Sequence, residues 1–260
     1  LKSDYGPSGE LEPLLGADEP APGCLERPLG LSPFVMLGDH AGRAIPGSLV
    51  GLGLNPDELD RHIAWDIGVA GLGRRLSAQL DATFIHQRYS RLVIDCNRAP
   101  DAPSAIPEVS DETTIPGNLG LSDEDKAARR RDVFEPYHAL IAQMLNRRSA
   151  QGRPTLLFSL HSFTPVMAGF QRPWRYGVLH RGDSSLSHRV LAALVQSLGE
   201  AAGDNEPYAM DGIDYTIPHH ADARGLDYLE LEVRQDLIDT PKGQADVADF
   251  LAPLLAQAMG

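Results

Sequence analysis

From Ser32 onward, short apolar runs bounded by glycine or polar residues alternate with longer stretches in which apolar residues recur at helical spacing. The runs Phe34-Val35-Met36-Leu37, Thr83-Phe84-Ile85, Leu92-Val93-Ile94, Thr155 to Leu160, Tyr176-Gly177-Val178-Leu179 and Tyr228 to Val233 predict strands. The stretches at about 66–80, 123–148, 184–200 and 244–258 predict helices. In the third of these, Leu186, Val190, Leu191, Leu194 and Leu198 form one stripe, leaving His188, Arg189, Gln196 and Glu200 for the opposite face. Strands alternating with helices imply an open sheet with helices on both sides. The expected fold is therefore a single α/β domain with a mostly parallel or mixed sheet flanked by helices.

The proline-rich, acidic residues 1–32 show no sustained period and are expected to form an irregular arm ahead of a domain spanning 33–260. Between Ala99 and Ser122, four prolines (Pro100, Pro103, Pro107, Pro116) interrupt the pattern. A connection that long in a compact domain usually covers something functional.

Composition narrows the function classes. Of 260 residues, 42% are hydrophobic and 23% charged, enough apolar material for a packed core. Lys+Arg 23 against Asp+Glu 36 leaves a net charge of −13, the wrong sign for nucleic acid or an anionic membrane surface. No apolar run approaches the roughly 20 residues that cross a bilayer. Cys24 and Cys96 make no disulfide framework and have no second cysteine at metal-ligand spacing. With no basic-then-apolar leader in Leu1-Lys2-Ser3-Asp4, a reducing, cytoplasmic setting is expected.

Ligands of such sheets bind beyond the carboxyl ends of the strands. There the sequence places Gly38-Asp39-His40-Ala41-Gly42, Asp95-Cys96-Asn97-Arg98, His161-Ser162, His180-Arg181 and Glu232-Val233-Arg234-Gln235-Asp236. Two imidazoles and a carboxylate at three strand ends, His40, His161 and Glu232, suit a metal hydrolase: neutral rings to hold the ion and an acid to take a proton from water. Taken singly, each residue reads more readily as an ordinary structural or solvated group; it is their joint placement that points to a site. Asp66 is either the cap of the helix it opens or a third metal ligand, with Glu58, Asp60 and His62 as competitors for that role.

The segments Gly38 to Pro46, His62-Ile63-Ala64-Trp65-Asp66, Ser90 to Arg98, Ile115-Pro116-Gly117-Asn118, His161-Ser162-Phe163-Thr164-Pro165, Gly203 to Tyr208 and Glu232 to Ile238, taken in order, resemble the N-formylglutamate amidohydrolase family. The resemblance runs from about residue 33 to the C-terminus. It implies a hydrolase fold similar to the zinc carboxypeptidases, one Zn2+ per chain or another divalent ion, and hydrolysis of the amide of an N-formyl or N-acyl amino acid. His40, Asp66 and His161 then look like metal ligands and Glu232 like the general base. Asn97-Arg98 is similar to the pair with which zinc carboxypeptidases grip a substrate carboxylate, and a guanidinium fork suits that task. Arg98 paired with Asp95 or Asp101 is the structural alternative.

In this reading Arg234, His180 or His220 would assist catalysis or bind substrate, and Asn205 or Tyr208 would contact the amino-acid portion. The expected partner is a small N-acyl amino acid, with no nucleic acid or membrane; oligomeric state is not legible. A zinc peptidase or cell-wall amidase on the same core is the nearest alternative, and a non-catalytic binding protein a further one. A serine hydrolase built on Ser159 or Ser162 lacks the Gly-x-Ser-x-Gly elbow.

Overall fold

The computed structural model describes residues 13–210 and 212–259. In chain order it comprises β1 (Gly23–Glu26), β2 (Phe34–Gly38), α1 (Pro56–Leu59), α2 (Val69–Leu80), β3 (Thr83–Gln87), a small hairpin of β4 (Val109–Ser110) and β5 (Thr113–Thr114), and α3 (Asp123–Arg129). A π-helical turn, Arg130–Phe134, joins α3 to α4 (Glu135–Ala150). There follow β6 (Leu156–Phe163), a second hairpin of β7 (Val166–Met167) and β8 (Phe170–Gln171), β9 (Tyr176–Leu179), α5 (Ser185–Leu198), β10 (Ala202–Asp204), α6 (Thr216–His220), β11 (Tyr228–Arg234) and α7 (Pro241–Ala258).

Seven strands form one mixed sheet in the order β1-β3-β2-β6-β11-β9-β10. The central β3, β2, β6 and β11 are parallel, so their carboxyl ends share one edge. β9 runs antiparallel to β11, with Glu230 opposite Leu179 and Glu232 opposite Gly177. This reversal sends His180, at the carboxyl end of β9, toward the opposite edge from His161 and Glu232. The expected convergence of His180 with the other strand ends is corrected accordingly.

The central strands are buried on both faces under two helical layers; β2 is almost wholly apolar, while β6 and β11 interrupt their apolar runs with Ser159, His161 and Ser162 and with Glu230 and Glu232. Alternate residues divide between two cores. Phe34, Met36, Phe158 and Leu231 meet Leu72 and Leu76 of α2, Leu186, Val190 and Leu194 of α5, and Leu251 and Leu255 of α7. Val35, Leu37 and Leu157 meet Tyr137, Ile141 and Leu145 of α4 on the other face. Burying each such Leu, Val or Phe contributes about 1.5–3 kcal/mol.

Two predicted elements differ. Leu92-Val93-Ile94 forms turns, because side chains replace a strand ladder: the Leu92 amide donates to Ser90 Oγ (3.1 Å) and the Asn97 amide to Asp95 Oδ1 (2.9 Å). The segment expected as an irregular arm contributes β1, paired antiparallel with β3 as the edge strand of the sheet. Its first twelve residues lie outside the described residues. Among the described residues, no helix is long and apolar enough to cross a membrane.

Candidate active site

The loop after β2 carries Asp39 and His40; β6 carries His161; Asp66 stands just before α2. The Asp66 amide donates to the His40 carbonyl (2.8 Å), which ties the two loops together. Asp66 does not cap α2. That position is held by Gly68 at φ 84°, where a Cβ would lie 2.2 Å from the Ile238 carbonyl oxygen, so only glycine fits. The Asp66 carboxylate is thereby left for the site: Oδ2 accepts from the Ser162 amide (3.2 Å) and lies 3.0 Å from His161 Nδ1 and 3.6 Å from His40 Nδ1.

The rings of His40 and His161 are 5.0 Å apart between centroids. Ligand atoms of His40, Asp66 and His161 all lie within 4.8 Å of one another, and all three residues are buried. The opposite ring nitrogens are held elsewhere. His40 Nε2 donates to Asp95 Oδ1 at 2.6 Å, and Asp95 is clasped through Oδ2 by Arg91 at 2.7 and 3.1 Å. His161 Nε2 meets Ser159 Oγ at 3.0 Å, beside Asp39, whose other oxygen accepts from the Tyr137 hydroxyl (2.7 Å). With Nε2 of each ring turned to its supporting partner, both Nδ1 atoms face Asp66. His40 Nδ1 is buried with no hydrogen-bond partner. An orphan imidazole nitrogen, a second imidazole and a carboxylate oxygen, each ring braced from behind, fit a divalent cation with a free coordination position.

Burial opposes the charge on Asp66, but His40 and His161 more than offset it and hold the carboxyl well below its usual range. Burial likewise opposes a charge on His161, yet the Asp66 hydrogen bond and charge lift it to about 10. The centre is built to hold positive charge.

A cavity of about 430 Å³ opens over this group. Glu232 lines it beside His161, its neighbour in the β6–β11 register, so both side chains share one face. Its Oε2 is buried without a partner, and burial, with the charge of Asp66 and against the pull of His161, His40 and Arg91, pushes the carboxyl up to about 7. Two residues earlier, Glu230 lines the same floor. Burial, with the charges of Asp214 and Glu232, lifts it to about 8 despite His161.

A family model for N-formylglutamate amidohydrolase matches residues 32–239, most of the chain. The chain belongs to the N-formylglutamate amidohydrolase family. It is 36% identical to gene product Atu2144 from Agrobacterium tumefaciens over 95% of this chain and 98% of that one, with a TM-score of 0.91. The N-formylglutamate amidohydrolase from Ralstonia eutropha JMP134 shares the fold, at 20% identity, a TM-score of 0.65 and coverage of 92% and 97%. No curated protein matches the chain significantly.

Within this family member, the other sequence-derived candidates divide sharply. Asn97, Arg98 and Tyr208 line the cavity. Asn97 Oδ1 accepts from the amides of Tyr215 (3.0 Å) and Thr216 (2.9 Å), fixing the start of α6. Arg98 Nη1 donates to the Asn97 carbonyl (2.8 Å) and to Asp214 Oδ1 (3.2 Å), so its acidic partner is Asp214 rather than Asp95 or Asp101. Tyr208 lies under the Arg172 guanidinium, 4.8 Å from the ring centroid.

Four candidates lie outside the cavity lining. His180 Nε2 pairs with Asp204 (2.9 Å), and Asn205 Oδ1 accepts from the His180 amide. His220 stacks on His138 behind the cavity, and Arg234 donates to Asp236 and to the Arg172 and Trp174 carbonyls. The alternatives to Asp66 are also occupied: Glu58 closes the capping box of α1, Asp60 pairs with Arg43, and His62 reaches the cavity wall 3.6 Å from Asp111.

Sequence reasoning gave no role to Arg91, Asp214 or Glu230, and to Asp95 only that of a partner for Arg98. For Glu230 a signal existed. Charged residues at a period of two inside an otherwise apolar, doubly buried strand mark a wet face. A second His-containing cluster, Cys24, Glu26 and His86, lies at the β1–β3 edge, but Arg74 already donates to Glu26 (2.7 Å) and lies 3.4 Å from His86 Nε2.

Proposed function

We propose that the protein is a metal-dependent amidohydrolase that cleaves the amide of an N-formyl or N-acyl amino acid. The observation that carries this reading is the convergence of His40 Nδ1, Asp66 Oδ2 and His161 Nδ1 beside the unpartnered carboxyl oxygen of Glu232. His40, Asp66 and His161 would hold the cation, zinc by the chemistry of two imidazoles and one carboxylate. When bound, it supplies Lewis acidity toward water and the acyl carbonyl.

Glu232 does the proton work. Its buried carboxyl, raised toward neutral pH, can take the proton of the attacking water and return it to the leaving amine nitrogen. Arg98, positioned by the Asn97 carbonyl and Asp214, and Arg91, bridging Asp66 and Asp95, offer guanidinium groups to the substrate α-carboxylate. Tyr208, Leu179 and Ile213 add apolar surface to the cavity lining.

The test joins metal content to turnover. Purified protein should hold about one divalent ion per chain and hydrolyse N-formyl or N-acetyl amino acids. Glu232→Gln should keep the ion and lose at least about a hundredfold in kcat, the low end of what a general base contributes. Wild-type turnover by that variant overturns Glu232 as the base; chelator-insensitive turnover by the wild type overturns the metal.

A further inference from the structure

We infer that the deep end of the cavity selects a substrate whose aliphatic stem ends in a cationic nitrogen, held by Glu230 and Asp214. The inference rests on the hydrolase reading above and deepens it by naming the substrate class: an N-acylated basic amino acid or diamine rather than an N-acylated acidic one.

Glu230 is the first observation. It stands on β11 with Ser159 of β6 and Leu179 of β9 as its register neighbours. The residue is only 2% exposed, yet it lines the cavity, and its Oε2 has no hydrogen-bond partner. A buried carboxyl oxygen left unmatched is costly, and a donor arriving with a ligand removes that cost. Asp214, on the loop before α6, lines the same cavity, and its charge acts on Glu230.

Charge balance is the second. Six carboxyl groups line the cavity, those of Asp66, Asp95, Asp111, Asp214, Glu230 and Glu232. Three guanidiniums engage them: Arg91 and Arg98 from the lining itself, and Arg61, whose Nη2 lies 2.6 Å from Asp111 Oδ2. Arg91 is engaged by Asp66 and Asp95, and Arg98 by Asp214. Arg91 and Arg98 can share one substrate carboxylate. A substrate with a second carboxylate on its side chain would find no further guanidinium in the lining beside Glu230. An ammonium or guanidinium at that point meets two acids. Leu179 and Ile213, on the way to them, suit a methylene stem.

The experiment compares kcat/KM of the zinc-loaded enzyme on N-formyl-lysine, N-formyl-norleucine and N-formylglutamate, which share the acyl group and differ at the side-chain terminus. Lysine should exceed norleucine by about tenfold, the effect of one well-placed charged contact, and glutamate should fall below both. Glu230→Gln should bring the lysine-to-norleucine ratio close to one, and Glu230→Asp should restore part of it. A second readout needs no turnover: free lysine should raise the melting temperature of the zinc-loaded wild type more than norleucine or glutamate does. Equal or better hydrolysis of the norleucine or glutamate substrate, or an unchanged ratio in a folded Glu230→Gln protein, overturns the inference. If none of the three is hydrolysed, the hydrolase reading falls. The cation site is then decided by the melting shifts, and equal shifts for lysine and norleucine overturn it.

Discussion

Asp95→Asn tests how the centre is organised. The substitution keeps the size of the side chain and an oxygen able to accept from His40 Nε2, but removes the charge. That charge sits 2.6 Å from His40 Nε2 and 2.7 Å from Arg91 Nη2, and both Asp95 and His40 are about 4–5% exposed, so solvent screens little of it. Burial alone would raise the Asp95 carboxyl, yet Arg91 and His40 hold it far below the ordinary range, which measures how strongly the site favours a carboxylate there. Replacing a charged supporting partner of a metal-binding histidine typically weakens metal affinity 10- to 100-fold. That corresponds to about 1.4–2.8 kcal/mol, in line with the value of a charge-assisted hydrogen bond. Zinc affinity measured by competition with a chromophoric chelator should therefore fall by about one to two orders of magnitude, whereas Glu232→Gln should leave it within a few-fold. Unchanged zinc affinity in Asp95→Asn would refute the argument that this carboxylate braces a ligand.

Two further outcomes follow from the surroundings of the cavity. Gly177→Ala would place a Cβ 1.9 Å from the Glu206 carbonyl oxygen, in the loop that leads to Tyr208; it should destabilise the fold by about 1–3 kcal/mol and lower kcat/KM. Wild-type urea midpoint and kinetics in that variant would contradict the packing described. Burial holds His138 down to about 4 against 6.5 when unfolded, so the unfolded chain binds more protons between these values. His138 therefore contributes full stability above about pH 6.5 and loses it as pH falls toward 4, up to about 3 kcal/mol. Relative to His138→Gln, the wild type should become progressively less stable across that window in urea titrations. The comparison separates His138 from His40 and His161, whose raised values act with the opposite sign. A pH-independent difference would refute it.

Much of this architecture was legible in the sequence because periodicity reports burial. The strands around Phe34, Phe84, Leu157, Val178 and Leu229 and the four long helices follow from apolar spacing alone. What failed depended on partners distant in sequence. Leu92-Val93-Ile94 is apolar because the second core surrounds it, not because it pairs as a strand. β1 is short and polar, and only the open edge of β3 makes it a strand.

The site was half legible in the same sense. The rule that ligands gather at strand carboxyl ends brings His40, His161 and Glu232 to one cavity, and Asp66 joins them through its hydrogen bond to the His40 backbone. The same rule misdirects His180, because no pattern along the chain reveals that β9 is reversed. Arg91 and Asp95 act through a turn whose geometry comes from Ser90 and Asp95 side chains capping backbone amides, information that an apolar run hides.

The most direct test is a zinc-edge anomalous difference map from crystals of the zinc-loaded protein. The account predicts one strong peak about 2.0–2.2 Å from His40 Nδ1, Asp66 Oδ2 and His161 Nδ1, with a solvent or substrate oxygen completing the shell beside Glu232. A peak bound through the Nε2 atoms, a peak only at Cys24, Glu26 and His86, or no peak at the triad at saturating zinc would contradict it.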